Sequence, residues 1–307
     1  MCCPIDLTTR LLTLLLLCLS MAGWGASYPL PAPGEDVVGE IQTLTTRYED
    51  TFSDIARAYD LGYQELVDAN PGVDPWLPGA GIELTLPTRY VLPPAPRQGI
   101  VINLPELRLY YYPKGENRVI THPLGIGREG WATPTGYTRI VRKKEHPAWR
   151  PPESIRQEAA AEGNPLPDIV GPGPDNPLGD YAMYLGLPGY LLHGTNKPYG
   201  VGMRVSHGCI RLYPEDIEYL FPQVPVGTTV DIIDAPYKAG WLDGELLLEA
   251  HRPLADGDSS GRGGDFTALV SAVVERLKGQ QRRPDWDALK EAVIEHLGYP
   301  VPVPLLP

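Results

Sequence analysis

The chain has 307 residues, a formal net charge of −12, 43% hydrophobic residues and 21% charged residues. At roughly 100–200 residues per domain, that makes about two domains and a tail, with enough apolar content for a buried core. The acidic balance and the lack of any Lys/Arg cluster exclude a nucleic-acid partner, and 35 Pro and 33 Gly against 3 Phe favour short strands and turns over a helical bundle.

Arg10 precedes an apolar run from Leu11 to Met21, followed by the small residues Ala22, Gly23, Gly25, Ala26 and Ser27. The run is shorter than the ~20 residues needed to span a bilayer and has the length of a signal-peptide core. Residues 1–26 are therefore read as an export signal, with an uncleaved anchor as the alternative. Two pairs of small residues could precede the cut, Gly23 with Gly25 and Gly25 with Ser27. Cys18 follows Leu17 rather than a small residue, which argues against a lipoprotein cysteine. No other stretch is apolar enough to span a membrane, so the chain would meet one only through this segment. Cys2, Cys3 and Cys18 all fall inside it and Cys209 remains alone, without a partner for an internal disulfide. A lone thiol is either a small buried apolar group or a reactive one.

Residues 43–87 are expected to form a small βααβ unit. Thr51 and Asp54 make a capping pattern that opens a short helix through Ile55, Ala56 and Tyr59. A second helix, from Gln64 to Ala69, stops at Asn70, Pro71 and Gly72. The strand Gly81–Pro87 alternates Ile82, Leu84 and Leu86 on one face. Pro93, Pro94 and Pro96 then form a stiff linker.

Residues 99–234 read as short strands at Ile100–Leu104, Leu107–Tyr112, Val119–Leu124, Tyr137–Val141, Tyr181–Leu185, Tyr190–His193 and Thr229–Ile233, with turn signals between them. A Pro-rich insertion spans His146 to Asn176 with a short helix near Ser154–Glu162. A further helix, Pro214–Phe221, follows Cys209. The domain is expected to be a β-sandwich or barrel-like body. Residues 235–307 are read as a partly helical extension: a hydrophilic link from Asp256 to Gly264, helices at Phe266–Leu277 and Trp286–Leu297, and an extended or disordered Pro-Val-Pro-Val-Pro close.

The chemistry concentrates in His193, Gly194 and Thr195, and then in Ser206, His207, Gly208, Cys209 and Arg211. A cysteine attacks as its thiolate and needs a base or a positive environment. Two histidines within 16 residues of the only remaining cysteine are candidates for that base, although either could be a satisfied core residue. Zinc is a poorer reading, because one Cys and two His leave the fourth ligand unassigned. Gly194, Gly200, Gly202 and Gly208 keep backbone near the site, either as N–H donors for an oxyanion or as plain loop flexibility. On a strand, His207 and Cys209 would share a face.

The stretch His193 to Arg211 resembles the signature of the L,D-transpeptidases (the YkuD-type catalytic domain), an upstream His-Gly followed by Ser-His-Gly-Cys-hydrophobic-Arg. The similarity extends over most of residues 99–234. Residues 43–87 resemble a LysM module, with Glu49, Asp50, Thr51 and Phe52 where Gly-Asp-Thr-Leu is usual. The layout is similar to periplasmic enzymes that attach a major outer-membrane lipoprotein to the wall. The resemblance implies Cys209 as nucleophile, His193 as general base oriented by the carbonyl of Gly194, and His207 as the supporting histidine. Arg211 would hold an anionic stem peptide or brace the loop, and Ser206, Gly208 and Thr195 would support the site. It implies acyl transfer on peptidoglycan with no metal or cofactor. The acceptor would be another diaminopimelate or a lipoprotein's C-terminal lysine. A hydrolase on the same thioester and a non-catalytic wall-binding protein are the rivals.

Overall fold

A computed structural model describes residues 26–254 and 266–307. The expected signal segment, apart from Ala26, lies outside the described residues, as does the link 256–264. No helix among the described residues is long and apolar enough to cross a membrane.

The described chain opens with β1 (Ala26–Pro29) and β2 (Val37–Gly39). The βααβ order follows as β3 (Gln42–Thr45), α1 (Phe52–Ala58), α2 (Tyr63–Ala69) and β4 (Glu83–Leu86). Thr51 caps α1 as its spacing implied, its Oγ1 accepting from the Asp54 N–H at 3.2 Å. The two helices bury Phe52, Ile55, Ala56 and Leu66 against Leu84 and Leu86. Ile82 does not join them, because it lies before β4 and stays 39% exposed. Ahead of the Pro-rich stretch, β5 (Arg89–Val91) pairs antiparallel with β2 and the buried Leu92 follows it.

The central region contains β6 (Gly99–Asn103), β7 (Arg108–Tyr112), β8 (Arg118–Pro123), β9 (Ile126–Gly127), β10 (Gly136–Glu145) and α3 (Glu153–Ala161). It continues with β11 (Tyr181–Leu185), β12 (Leu191–His193), β13 (Arg204–Ser206), β14 (Ile210–Arg211), α4 (Pro214–Gln223) and β15 (Thr229–Ile233). The mainly β body expected here is built on one curled nine-stranded sheet, in the order β1-β8-β7-β6-β15-β10-β11-β12-β14. Ile100, Ile102, Leu109, Ile120, Val230 and Ile232 face α4, whose Ile217, Leu220 and Phe221 close that layer. Val101, Tyr110, Tyr112 and Val119 face the other way, onto Val38, Tyr90 and Leu92. Burial on both faces explains why these strands read as continuous apolar runs rather than alternating ones.

The C-terminal region holds a hairpin in addition to the expected helices. β16 (Tyr237–Leu242) and β17 (Glu245–Ala250) pair antiparallel across Asp243 and Gly244. Both turn residues have positive φ, 50° and 79°, the type I′ geometry that matches strand twist. An Asp-Gly pair between apolar runs was the available sequence signal. After it come α5 (Phe266–Leu277), β18 (Arg283–Pro284), α6 (Trp286–Glu295), β19 (Val301–Pro302) and β20 (Leu305–Leu306). The helices bury Leu269, Val273, Leu289 and Val293 on the hairpin. The tail is extended, β19 pairing with β17 and β20 with β18.

Buried ion pairs join the three regions. Glu65 of α2 meets Arg108 of β7 at 2.8 Å, their side chains 4% and 0% exposed. Lys238 of β16 lies 2.7 Å from both Glu106 and Glu249, and all three side chains are fully buried. The βααβ unit also docks on the loop before β13: a Cβ at Gly202 would lie 2.2 Å from the Tyr63 nitrogen, so only glycine permits that approach.

Candidate active site

Parallel pairing of β12 with β14 sets the site. Leu192 lies opposite Ile210 and His193 opposite Arg211, so Cys209 sits at the entry of β14 beside Leu191. Cys209, His193, His207, Ser206 and Arg211 all line one cavity of about 540 Å³. Thr195 is not among its lining residues. Its Oγ1 accepts from the Lys197 N–H at 2.9 Å and so shapes the turn after β12.

Residues 207–209 form a turn rather than a strand, with Gly208 at φ +98° between β13 and β14. The side-sharing expected of His207 and Cys209 on a strand therefore does not apply, and the cavity wall brings them together instead. Ser206 closes the turn: its Oγ donates to the Cys209 carbonyl at 2.5 Å and accepts from the Gly208 N–H at 3.2 Å. Thr133 Oγ1 donates to the Gly208 carbonyl at 2.9 Å. Each of the four glycine N–H groups has an acceptor within the fold. The N–H of Gly194 bonds Tyr181, that of Gly200 bonds Lys197 and that of Gly202 bonds Leu124, and Gly208 is bound to Ser206. Tight turns place these glycines near the site, and those turns consume their N–H groups.

His193 is 3% exposed and its Nδ1 lies 2.6 Å from the Gly194 carbonyl. Burial, followed by the positive charge of Arg211, pushes its pKa down to about 4. Burial likewise raises the Cys209 thiol, opposed by the Leu191 N–H and by Arg211. Both shifts favour the uncharged forms, thiol and imidazole. Burial also lowers the Arg211 guanidinium, and its buried Nε has no hydrogen-bond partner among the described residues.

His207 is engaged elsewhere on the cavity wall. Its Nε2 lies 2.8 Å from Glu158 Oε2 on α3 and 3.2 Å from Arg128 Nη2, and its ring meets Trp131 edge-on at 4.8 Å. Arg128 also bonds Glu158. Hydrogen bonds from Arg128 and then His207 hold the Glu158 carboxylate below its usual range. α3 buries none of its residues, so these polar contacts fasten the insertion over the cavity.

Sequence reasoning missed the rest of the wall. Arg142, Trp149, Arg150, Ile155 and Tyr184 line the cavity from β10, the insertion and β11. The Arg142 guanidinium stacks over the Tyr184 ring at 3.6 Å. The lining contains three arginines and no carboxylate in a chain of net charge −12. These residues lie 25 to 67 positions from Cys209, and no local pattern announces their convergence. Among the described residues, the two clusters of Asp, Glu and His with ligand atoms close together, Asp60–His122–Asp216 and Glu106–Glu249–His251, include none of the cavity residues.

The YkuD family, described as an L,D-transpeptidase catalytic domain, matches residues 97–232. The chain is 44% identical over 282 residues to the Escherichia coli K12 protein named "Probable L,D-transpeptidase YbiS", covering 90% of this chain and 91% of that one. It is 47% identical over 233 residues to "Probable L,D-transpeptidase ErfK/SrfK" of Salmonella typhimurium, covering 75% of each. Among solved structures, the catalytic domain of the Enterococcus faecium L,D-transpeptidase aligns with 23% identity and a TM-score of 0.34, over 44% of this chain and 96% of that one.

Proposed function

The chain belongs to the L,D-transpeptidase family, and from that premise we infer that Cys209 attacks peptidoglycan stem peptides from an exported, periplasmic enzyme. One observation carries the reading: the only cysteine of the described residues shares a cavity with a buried neutral imidazole and three arginines. A cationic cleft in an acidic protein favours a peptide bearing several carboxylates.

The thiol proton of Cys209 passes to Nε2 of His193 as sulfur attacks the carbonyl carbon at the L-centre of the third stem residue, diaminopimelate. The tetrahedral intermediate collapses, the C–N bond to D-Ala breaks, and His193 returns the proton to the departing amine. An amine then attacks the thioester, loses its proton to His193, and releases Cys209. The acceptor is a second diaminopimelate or the C-terminal lysine of an outer-membrane lipoprotein. Residues 43–87 act as a LysM-like wall-binding module, and the N-terminal apolar segment directs export.

Intact mass of the protein mixed with a disaccharide-tetrapeptide, or with a carbapenem, tests this. Expected are a covalent adduct absent from Cys209→Ala, released D-Ala, and an amine-linked product. Tripeptide alone would convert the reading to a hydrolase, and no adduct on folded protein would sink it.

A further inference from the structure

Away from the cavity, four elements meet at a second ionisable cluster. Asp60 follows α1, His122 lies in β8, Asp216 sits in the first turn of α4, and Ala26 opens β1. His122 is fully buried, with Nδ1 3.5 Å from Asp60 Oδ1 and 3.4 Å from Asp216 Oδ1. The Ala26 N–H donates to Asp60 Oδ2 at 2.8 Å. Asp60 holds φ +54°, a left-handed conformation that Asp tolerates, and its carbonyl accepts from Arg108 Nη2 at 2.9 Å. Its carboxylate is therefore fixed between Ala26 and His122.

The neighbouring charges are already matched. Arg108 pairs with Glu65 at 2.8 Å and Arg57 with Glu215 at 2.7 Å. Within the cluster, two carboxylates face one imidazole. Burial opposes charge on His122, yet Asp216 and then Asp60 push its pKa up to about 10. Burial, followed by the charge of Asp60, pushes Asp216 up to about 7. Two carboxylates set on one imidazole therefore have room for one more positive charge, and Asp60 Oδ2 already accepts from the Ala26 N–H.

We propose that export processing cuts between Gly25 and Ala26, and that the freed α-ammonium of Ala26 seats on Asp60 and locks the βααβ unit to the catalytic sheet. The proposal rests on the export reading above. A leader-removing peptidase supplies the step: one water is consumed, the Gly25–Ala26 C–N bond breaks, and a Gly25 carboxylate and an Ala26 ammonium result. The ammonium keeps the donor position of the amide and adds one positive charge, and a charged donor bonds a carboxylate more strongly than a neutral one. Gly23 and Gly25 are the small residues this cut requires. The competing pair, Gly25 with Ser27, places the cut after Ser27. That cut would strip the Ala26–Thr121 and Ser27–Ile120 pairs from the sheet and leave Asp60 Oδ2 without its partner.

The full chain is exported in a Gram-negative host, and its N-terminus is read by intact mass and N-terminal sequencing. The expected first residue is Ala26. One glycine is then inserted between Gly25 and Ala26, which moves the ammonium one residue upstream. The melting temperature should fall by about 2–4 °C, the shift that a ~1 kcal/mol loss produces in a chain of this size. In an Asp60→Asn background, which retains the left-handed backbone, the insertion should cause no further fall. An exported chain starting elsewhere overturns the proposal and leaves export intact, whereas an uncleaved chain overturns both. An unchanged melting temperature, or the same fall in both backgrounds, removes Asp60 as the ammonium's partner.

Discussion

The His193 ring is held by a backbone group, its Nδ1 lying 2.6 Å from the carbonyl oxygen of Gly194. A carbonyl has no proton to give, so Nδ1 donates and Nε2 is the basic nitrogen. A carbonyl never ionises, so it orients the ring at any pH, and its hydrogen bond raises the ring's basicity less than burial lowers it. The pKa of His193 stays low, at about 4, through burial and then Arg211.

That value predicts the acid limb. As the proposed base, His193 works only when neutral, so the acylation rate should be lost as pH falls through about 4 and stay flat across neutral pH. The same ring titrates near 6.5 when unfolded, so its contribution to stability is complete above about 6.5 and declines as pH falls toward 4. Stopped-flow carbapenem acylation against pH measures the first effect. A limb near 6.5 would mean a solvated imidazole.

The two histidines should separate by mutation. His193→Gln should slow acylation by ~10²–10⁴, the range for losing a general base. His207→Gln should stay within about tenfold, roughly 1.4 kcal/mol, because its Nε2 is already bound to Glu158. Equal losses would move His207 into the reacting pair.

The insertion should loosen without the body melting. Glu158→Gln weakens the bonds to Arg128 and His207 that fasten α3, a helix with no buried residue. Limited proteolysis should then cut within residues 148–176 several-fold faster, with little change in melting temperature, as local opening costs less than global unfolding.

The arginines should act on binding. Arg142→Ala and Arg150→Ala line the cavity without touching the turn that carries Cys209. Each should raise KM for a carboxylate-bearing stem peptide more than it lowers kcat, and added salt should shrink the difference. Steady-state kinetics at two ionic strengths decide this.

The Glu65–Arg108 pair should matter most when half of it is removed. Either Glu65→Gln or Arg108→Met leaves a buried partner uncompensated and should cost about 3–5 kcal/mol, with the double variant costing less than the sum. Urea unfolding of the four proteins measures the coupling.

Local signals were reliable wherever structure forms between near neighbours. The Thr51–Asp54 cap, the helices after Thr51 and Pro214, and the seven central strands appear within a few residues of where period and turn chemistry put them. His193, Gly194 and Cys209 stood out in the sequence through a family signature, and the pairing of β12 with β14 sets His193 opposite Arg211, two residues after Cys209. The hairpin across Asp243 and Gly244 was also written locally and was read past.

What stayed hidden depends on contacts between distant positions. The fates of the glycine N–H groups follow from the turns and bridges around them. The bond between His207 and Glu158 spans 49 residues, and the buried partners Glu65 and Arg108 are 43 apart. Ion pairs and cavity walls of this kind carry no period, since their energy comes from burial and geometry created only when the sheet curls. A sequence names the groups that can react; packing sets which of them stay neutral, which are paired, and which face the substrate.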